Sequence, residues 1–129
     1  MVDMSASLIH HGHVRILKKA KKFGYVIIAL TTDKEFIKFK KYKPELNYKS
    51  RKEILEAIKY VDEVIPSPWL IDEDFLRKNK IDKLVHGSDN FNKVSKKMLL
   101  IFPRTKGISS SIIRRKTLKA ISDICLNKF

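Results

Sequence analysis

One cysteine, Cys125, is too few for an internal disulfide, so nothing in this chain depends on an oxidising compartment. Its place near the C-terminus predicts a packing role. Long apolar runs are missing as well. No stretch approaches the roughly 18–20 residues that a membrane span requires, and the N-terminus lacks the pattern of a signal peptide. Together these absences predict a cytoplasmic protein with no membrane insertion. Internal repeats, low-complexity tracts and linkers are also missing, which makes residues 1–129 a single domain, long enough to bury one core. Acidic residues are scarce, 14 against 28 Lys and Arg, for a net charge of +14. Such a balance suits polyanionic partners, nucleic acid among them. Yet the lysines are scattered rather than gathered in a tail, and the aromatics do not interleave with them as a single-strand platform requires. A basic surface that draws in small polyanions explains the charge as well, so no nucleic acid partner is expected.

What is present is alternation. Val14, Ile16, Leu17 and Ala20 fall at helical spacing in a segment that opens near His11 and closes at Gly24. Residues 25–31 form a near-continuous apolar run, the mark of a strand buried on both faces. A helix is predicted over 49–60, with Ile54, Leu55 and Ile58 on one face, then a short strand over 61–65 stopped by Pro66. A helix over 72–79, a strand over 83–86 and a strand over 98–102 follow. From Ser109 onward the pattern is helical, with Ile112, Ile113, Leu118, Ile121 and Ile124 as predicted buried positions. This order argues a Rossmann-like α/β fold, a doubly wound parallel sheet of about five strands with ligands at the carboxyl ends of the strands. His10 follows the first strand, Asp33 the second, Asp89 the fourth and Arg104 the fifth. Only four residues precede Ser5, fewer than the about five to six of an ordinary strand, which predicts a first strand cut short and a natural start upstream of Met1.

Two motifs carry chemistry. His10-His11-Gly12-His13 places two imidazoles three residues apart where an apolar segment gives way to a helical pattern. Arg104-Thr105-Lys106-Gly107-Ile108-Ser109-Ser110 opens the last helix with an Arg, a Gly and three hydroxyls. Both suit phosphates, because a helix N-terminus offers unpaired N–H donors and a partial positive charge. Gly12 lets the backbone come close to a phosphate, and Arg104 is a planar fork matched to one. A plainer reading stands beside each: a His can be a surface or capping residue, and Ser is an ordinary N-cap. The two motifs in this order, around βα units, point to nucleotidyl transfer.

Further marks are Thr31-Thr32-Asp33, Arg51-Lys52, the run from Lys59 to Pro66 and Gly87-Ser88-Asp89. With these, residues 3–116 resemble the glycerol-3-phosphate cytidylyltransferase-like members of the H-x-G-H cytidylyltransferase family. Arg104 to Ser110 matches that branch's Arg-Thr-x-Gly-Ile-Ser-Ser/Thr signature. The resemblance implies transfer of CMP from CTP to a phosphorylated alcohol such as glycerol 3-phosphate, giving a CDP-alcohol and pyrophosphate. It implies His10, His13 and Arg104 as catalytic residues, the imidazoles acting on the α-phosphate. Ser5, Ala6, Gly12, Asp89, Thr105, Gly107, Ile108, Ser109 and Ser110 would contact the nucleotide, with His11 pointing elsewhere. Lys38 and Lys40, in the basic stretch 38–43 expected as a loop after the second strand, would contact the acceptor, as would Arg51. It further implies Mg²⁺ with CTP, held on the phosphates rather than by a dedicated protein cage, and a homodimer.

Some residues depart from the family pattern. Met4-Ser5-Ala6-Ser7 stands where Gly-Thr-Phe-Asp is usual, so Ser7 replaces an acidic residue; Asn90 replaces a Trp, and Lys59 an Arg. The opening over 4–9 also resembles nucleotidyltransferase-like domains fused to some phosphoenolpyruvate mutases, which implies a phosphonate as a second kind of acceptor. The same residues are compatible with an adenylyltransferase of this fold and with a catalytically idle nucleotide-binding module.

Overall fold

The computed structural model describes residues 1–128. Strand β1 (Val2–Met4) leads through α1 (His11–Lys21) to β2 (Ile27–Thr31). Helices α2 (Asp33–Lys40) and α3 (Tyr48–Glu56) precede β3 (Glu63–Ser67), and α4 (Glu73–Lys78) precedes β4 (Leu84–Gly87). Strand β5 (Leu99–Phe102) hands over to the long α5 (Ser110–Asn127). All the strands pair in parallel, in the order β3-β2-β1-β4-β5. The chain winds outward from β1 to β3, then returns to the other side of β1 for β4 and β5. The crevice beyond the carboxyl ends of β1 and β4 is therefore the topological switch point, where ligands bind in open α/β sheets.

Alternation along the strands sorts side chains onto the two faces. Val2, Ile28, Leu30, Val64 and Val85 pack with Leu17 and Ala20 of α1 and Leu55 of α3. Met1, Ala29 and Leu84 pack on the opposite face with Ile71, Leu76 of α4 and Ile81. Asp3 and His86 share the parity of Met1 and Leu84, so they too lie on the α4 side of the sheet.

Three expectations about elements need correction. Pro66 does not stop the third strand; it pairs with Leu30 inside it. A strand at the sheet edge tolerates the missing N–H donor. The first half of the basic stretch 38–43, expected as a loop, is the last turn of helix α2, which is capped by Thr32, whose hydroxyl accepts from the Glu35 N–H at 3.3 Å. Lastly, α5 buries only its beginning. Ile112 and Ile113 are half-buried, but Leu118 is 69% exposed, Ile121 53% and Ile124 55%, and Cys125 is exposed too. The helix runs past the body of the domain, so its outer apolar side stays exposed. The expected packing role of Cys125 fails for the same reason. Among the described residues no helix is long and apolar enough to cross a membrane.

Candidate active site

A cleft of ≈ 530 Å³ opens at the switch point. One wall is the turn between β1 and α1. His10 is the N-cap of α1, and its Nδ1 accepts from the Gly12 N–H at 3.1 Å. The Nδ1 of His13 accepts in return from the His10 N–H, also at 3.1 Å. This is a capping box built from two imidazoles rather than from Ser and Glu. Its chemical consequence is a fixed tautomer. With both Nδ1 lone pairs committed to backbone N–H groups, each neutral ring carries its proton on Nε2. Both histidines line the cleft, with ring centroids 4.0 Å apart. Gly12 makes the arrangement possible, because a Cβ there would stand 2.8 Å from Cε1 of His10. His11 is exposed and does not line the cleft.

The surroundings keep both rings neutral. Burial, then the charges of His11 and Arg104, lower the pKa of His10. Burial, then the charges of His10 and Arg104, take His13 from the ordinary 6.5 to about 4. A group that resists protonation in the fold but accepts it when unfolded makes the fold less stable as pH falls. The stability is fully present above pH 6.5 and is lost towards pH 4. We expect the wild type to lose about 2–3 kcal/mol more than His13→Gln between about pH 7.5 and 4.5. Urea denaturation of both proteins at the two pH values measures this, and equal losses would contradict it.

The facing wall is the N-terminus of α5. Ser109 is its N-cap, accepting from the Ile112 N–H at 3.1 Å, so the ordinary capping reading holds for this hydroxyl. The Ser110 hydroxyl donates to the Leu8 carbonyl at 3.3 Å, which ties α5 to the histidine turn. Thr105, Ile108, Ser109 and Ser110 line the cleft; Gly107 does not, but its φ of +78° forms the turn that presents them. Arg104 reaches over from β5, and its Nη1 donates to Asp89 at 3.2 Å. Gly87 allows that pairing, since a Cβ on it would stand 2.9 Å from Oδ1 of Asp89 and 3.3 Å from Cγ of Arg104. Ser5 and Ala6 lie on the cleft floor, Ala6 with the strained φ of 46°.

Of the residues expected to meet an acceptor, only Lys40 lines the cleft. Lys38 and Lys40 lie two residues apart on α2, and a helical repeat of about 3.6 residues turns such neighbours to different sides. Lys38 is exposed beside the Phe39 ring and away from the cleft. Arg51 is also a correction. Its side chain is 0% exposed and its donors are used within the chain: Leu46, Ser5 and Thr31 carbonyls at 3.0, 2.6 and 2.9 Å, and Asp33 at 2.6 Å. It is the clasp that holds the β1 turn, the β2 end and the α2–α3 loop together.

Several lining residues carried no signal in the sequence. Arg114 donates to Ser7 Oγ at 2.7 Å and pairs with Glu45, so Ser7 accepts from a cation where the family pattern has a carboxylate. Asp3, His86 and Asn92 form a polar cluster on the cleft floor, and Trp69 lines the α2 side. They are isolated polar or aromatic residues in separate segments, and only the sheet order brings them together.

The cytidylyltransferase-like family profile matches residues 5–116. Glycerol-3-phosphate cytidylyltransferase of Staphylococcus aureus is 40% identical over 115 residues, covering 84% of this chain and 86% of that protein. Its Bacillus subtilis counterpart is 38% identical over 115 residues, covering 84% and 88%. Among solved structures, the lipopolysaccharide core biosynthesis protein from Thermoplasma volcanium superposes with a TM-score of 0.69 over 82% of this chain and 96% of that one. At 18% identity this shows the fold alone.

Proposed function

This chain belongs to the cytidylyltransferase-like family and transfers CMP from CTP to a phosphorylated alcohol, and we propose that glycerol 3-phosphate is its acceptor, with His10, His13 and Arg104 acting on the phosphates. The observation that carries the residue roles is the double imidazole cap, which leaves an Nε2–H donor on each ring in the cleft that the α5 N-terminus also lines.

An acceptor phosphate oxygen attacks the α-phosphorus of CTP in line. The new P–O bond forms as the bond to the bridging oxygen of the β-phosphate breaks, and pyrophosphate leaves with that electron pair. The acceptor phosphate is already anionic near neutral pH, so no general base is needed, and catalysis is positioning plus charge stabilisation. Neutral His10 and His13 donate to the α-phosphate oxygens as it becomes five-coordinate. Arg104 and the free N–H groups opening α5 receive the β- and γ-phosphates. Lys40, which lines the cleft beside Trp69, receives the acceptor phosphate in this reading. Mg²⁺ carried by the CTP phosphates would supply charge screening there, alongside Arg104.

The test is pyrophosphate release with Mg²⁺ across glycerol 3-phosphate, phosphocholine, phosphoethanolamine and small phosphonates, with ATP as the control nucleotide. We expect release from CTP with glycerol 3-phosphate. Release with a phosphonate alone would reassign the acceptor, and preference for ATP would overturn the nucleotide.

A further inference from the structure

The cleft floor holds a chain of charges whose buried end the transfer mechanism above leaves unused. Asp3 of β1 and His86 of β4 lie side by side on adjoining strands, and His86 Nδ1 donates to Asp3 Oδ1. The other Asp3 oxygen accepts from Asn92 Nδ2 at 2.9 Å, and Asn92 Oδ1 accepts from the buried Ile71 N–H at 2.7 Å. That network fixes the ring. With Nδ1 turned to Asp3, Nε2 points outward and lies 3.7 Å from Asp89 Oδ1, an ion-pair distance rather than a hydrogen bond. The second Asp89 oxygen accepts from Arg104 Nη1 at 3.2 Å. From the buried end outward, the groups run Asp3, His86, Asp89, Arg104.

We propose that His86 is a positioning residue for nucleotide binding, acting through Asp89 to hold Arg104 in the orientation that meets the CTP phosphates. The proposal rests on the reading of Arg104 as a phosphate-binding group. Its weight comes from the contrast in burial along the chain of charges. Asp3 and His86 side chains are 9% and 21% exposed, whereas Asp89 and Arg104 are 53% and 57% exposed. A half-exposed Arg is otherwise free to sample many rotamers, and ordering it on binding costs affinity. Anchoring Asp89 from the buried end removes part of that cost in advance.

The anchor requires a proton on Nε2. The charged groups facing His86 are Asp3 from β1, Asp89 from the loop after β4 and Arg104 from the loop after β5. Burial pushes the imidazole pKa down, but the Asp3 hydrogen bond and the Asp3 and Asp89 charges outweigh it against Arg104, so the pKa stands above the ordinary 6.5. Below that raised value the four groups are charge-balanced. Above it, Asp89 keeps only Arg104, and Asp3 repels it.

The experiment has two arms. Steady-state kinetics of wild type and His86→Gln, at saturating acceptor from about pH 6 to 8.5, give kcat and the KM for CTP. We expect the wild-type KM to rise about two- to tenfold across the His86 titration, the affinity worth of ordering one long side chain. His86→Gln should carry the higher KM at every pH, with kcat little changed. Retention of the pH-dependent rise in His86→Gln would overturn the proposal, because a merely structural residue shifts stability and not this limb. In the second arm, NMR of the wild type follows the Arg104 Nε–H signal and the His86 ring through pH. We expect the Arg104 signal to move with the His86 titration, and Asp89→Asn to break that link. An Arg104 signal indifferent to His86 would overturn the proposal even in a protein inactive on CTP, whereas inactivity itself counts against the reaction and not against this coupling.

Discussion

Turnover of CTP by His13→Ala should fall at least about a hundredfold, the loss typical when one donor to a developing phosphate charge is removed. The expected size follows from where the proton sits. His13 Nδ1 is tied to the His10 N–H, so the ring is a neutral Nε2–H donor at neutral pH and not a cation that loose positioning could replace. The same substitution deletes half of the cap of α1, and the two effects must be separated. His13→Asn offers the His10 N–H an oxygen of similar reach but brings no ring donor to the cleft. It should restore most of the helix stability and none of the lost rate. Steady-state kinetics with thermal unfolding of both variants check this. Near-normal turnover in either would sink the assigned role of His13.

Arg51→Ala should destabilise the fold by about 3–5 kcal/mol, the cost of removing a large buried side chain and leaving the carbonyls it served without a donor. The residue is 0% exposed, and truncation strands three carbonyls and Asp33 at once. Arg51→Lys should fare little better. An ammonium has three donors around one point, and these four acceptors are reached from three separate nitrogens of one plane. Urea unfolding measures the loss, and acceptor KM measured on whatever protein remains folded separates the two roles. A variant as stable as the wild type with only a raised acceptor KM would restore Arg51 to the substrate site.

The contrast between these two residues explains what is legible in the sequence. The sheet is, because parallel strands buried on both faces advertise themselves as apolar runs, and their carboxyl ends then place His10, Asp89 and Arg104 at one crevice. The histidine turn is legible because both rings and Gly12 lie within a single short segment. Arg51 is not, because an Arg opening a helix reads alike whether it faces a substrate or four of the chain's own acceptors. Its burial depends on the β1 turn and the α2–α3 loop folding over it. Lys38 and Lys40 look equivalent within a basic stretch that reads as a loop, where neighbouring lysines can face the same way; the helix of α2 separates them. The apolar side of α5 has a sound helical pattern, yet periodicity states which side is apolar and not whether anything covers it. Asp3, His86 and Asn92 fall in three segments with no common spacing, and only the pairing of β1 with β4 makes them one cluster.

Attack at the α-phosphorus of CTP within this cleft fixes where each phosphorus atom of CTP must end. The most direct measurement follows the label of CTP carrying ³²P at the α position, incubated with Mg²⁺, glycerol 3-phosphate and the wild-type protein. The label should appear in the CDP-alcohol while the pyrophosphate released is unlabelled, and His13→Ala should slow both together. Label left in CTP, or released as CMP regardless of acceptor, would contradict this.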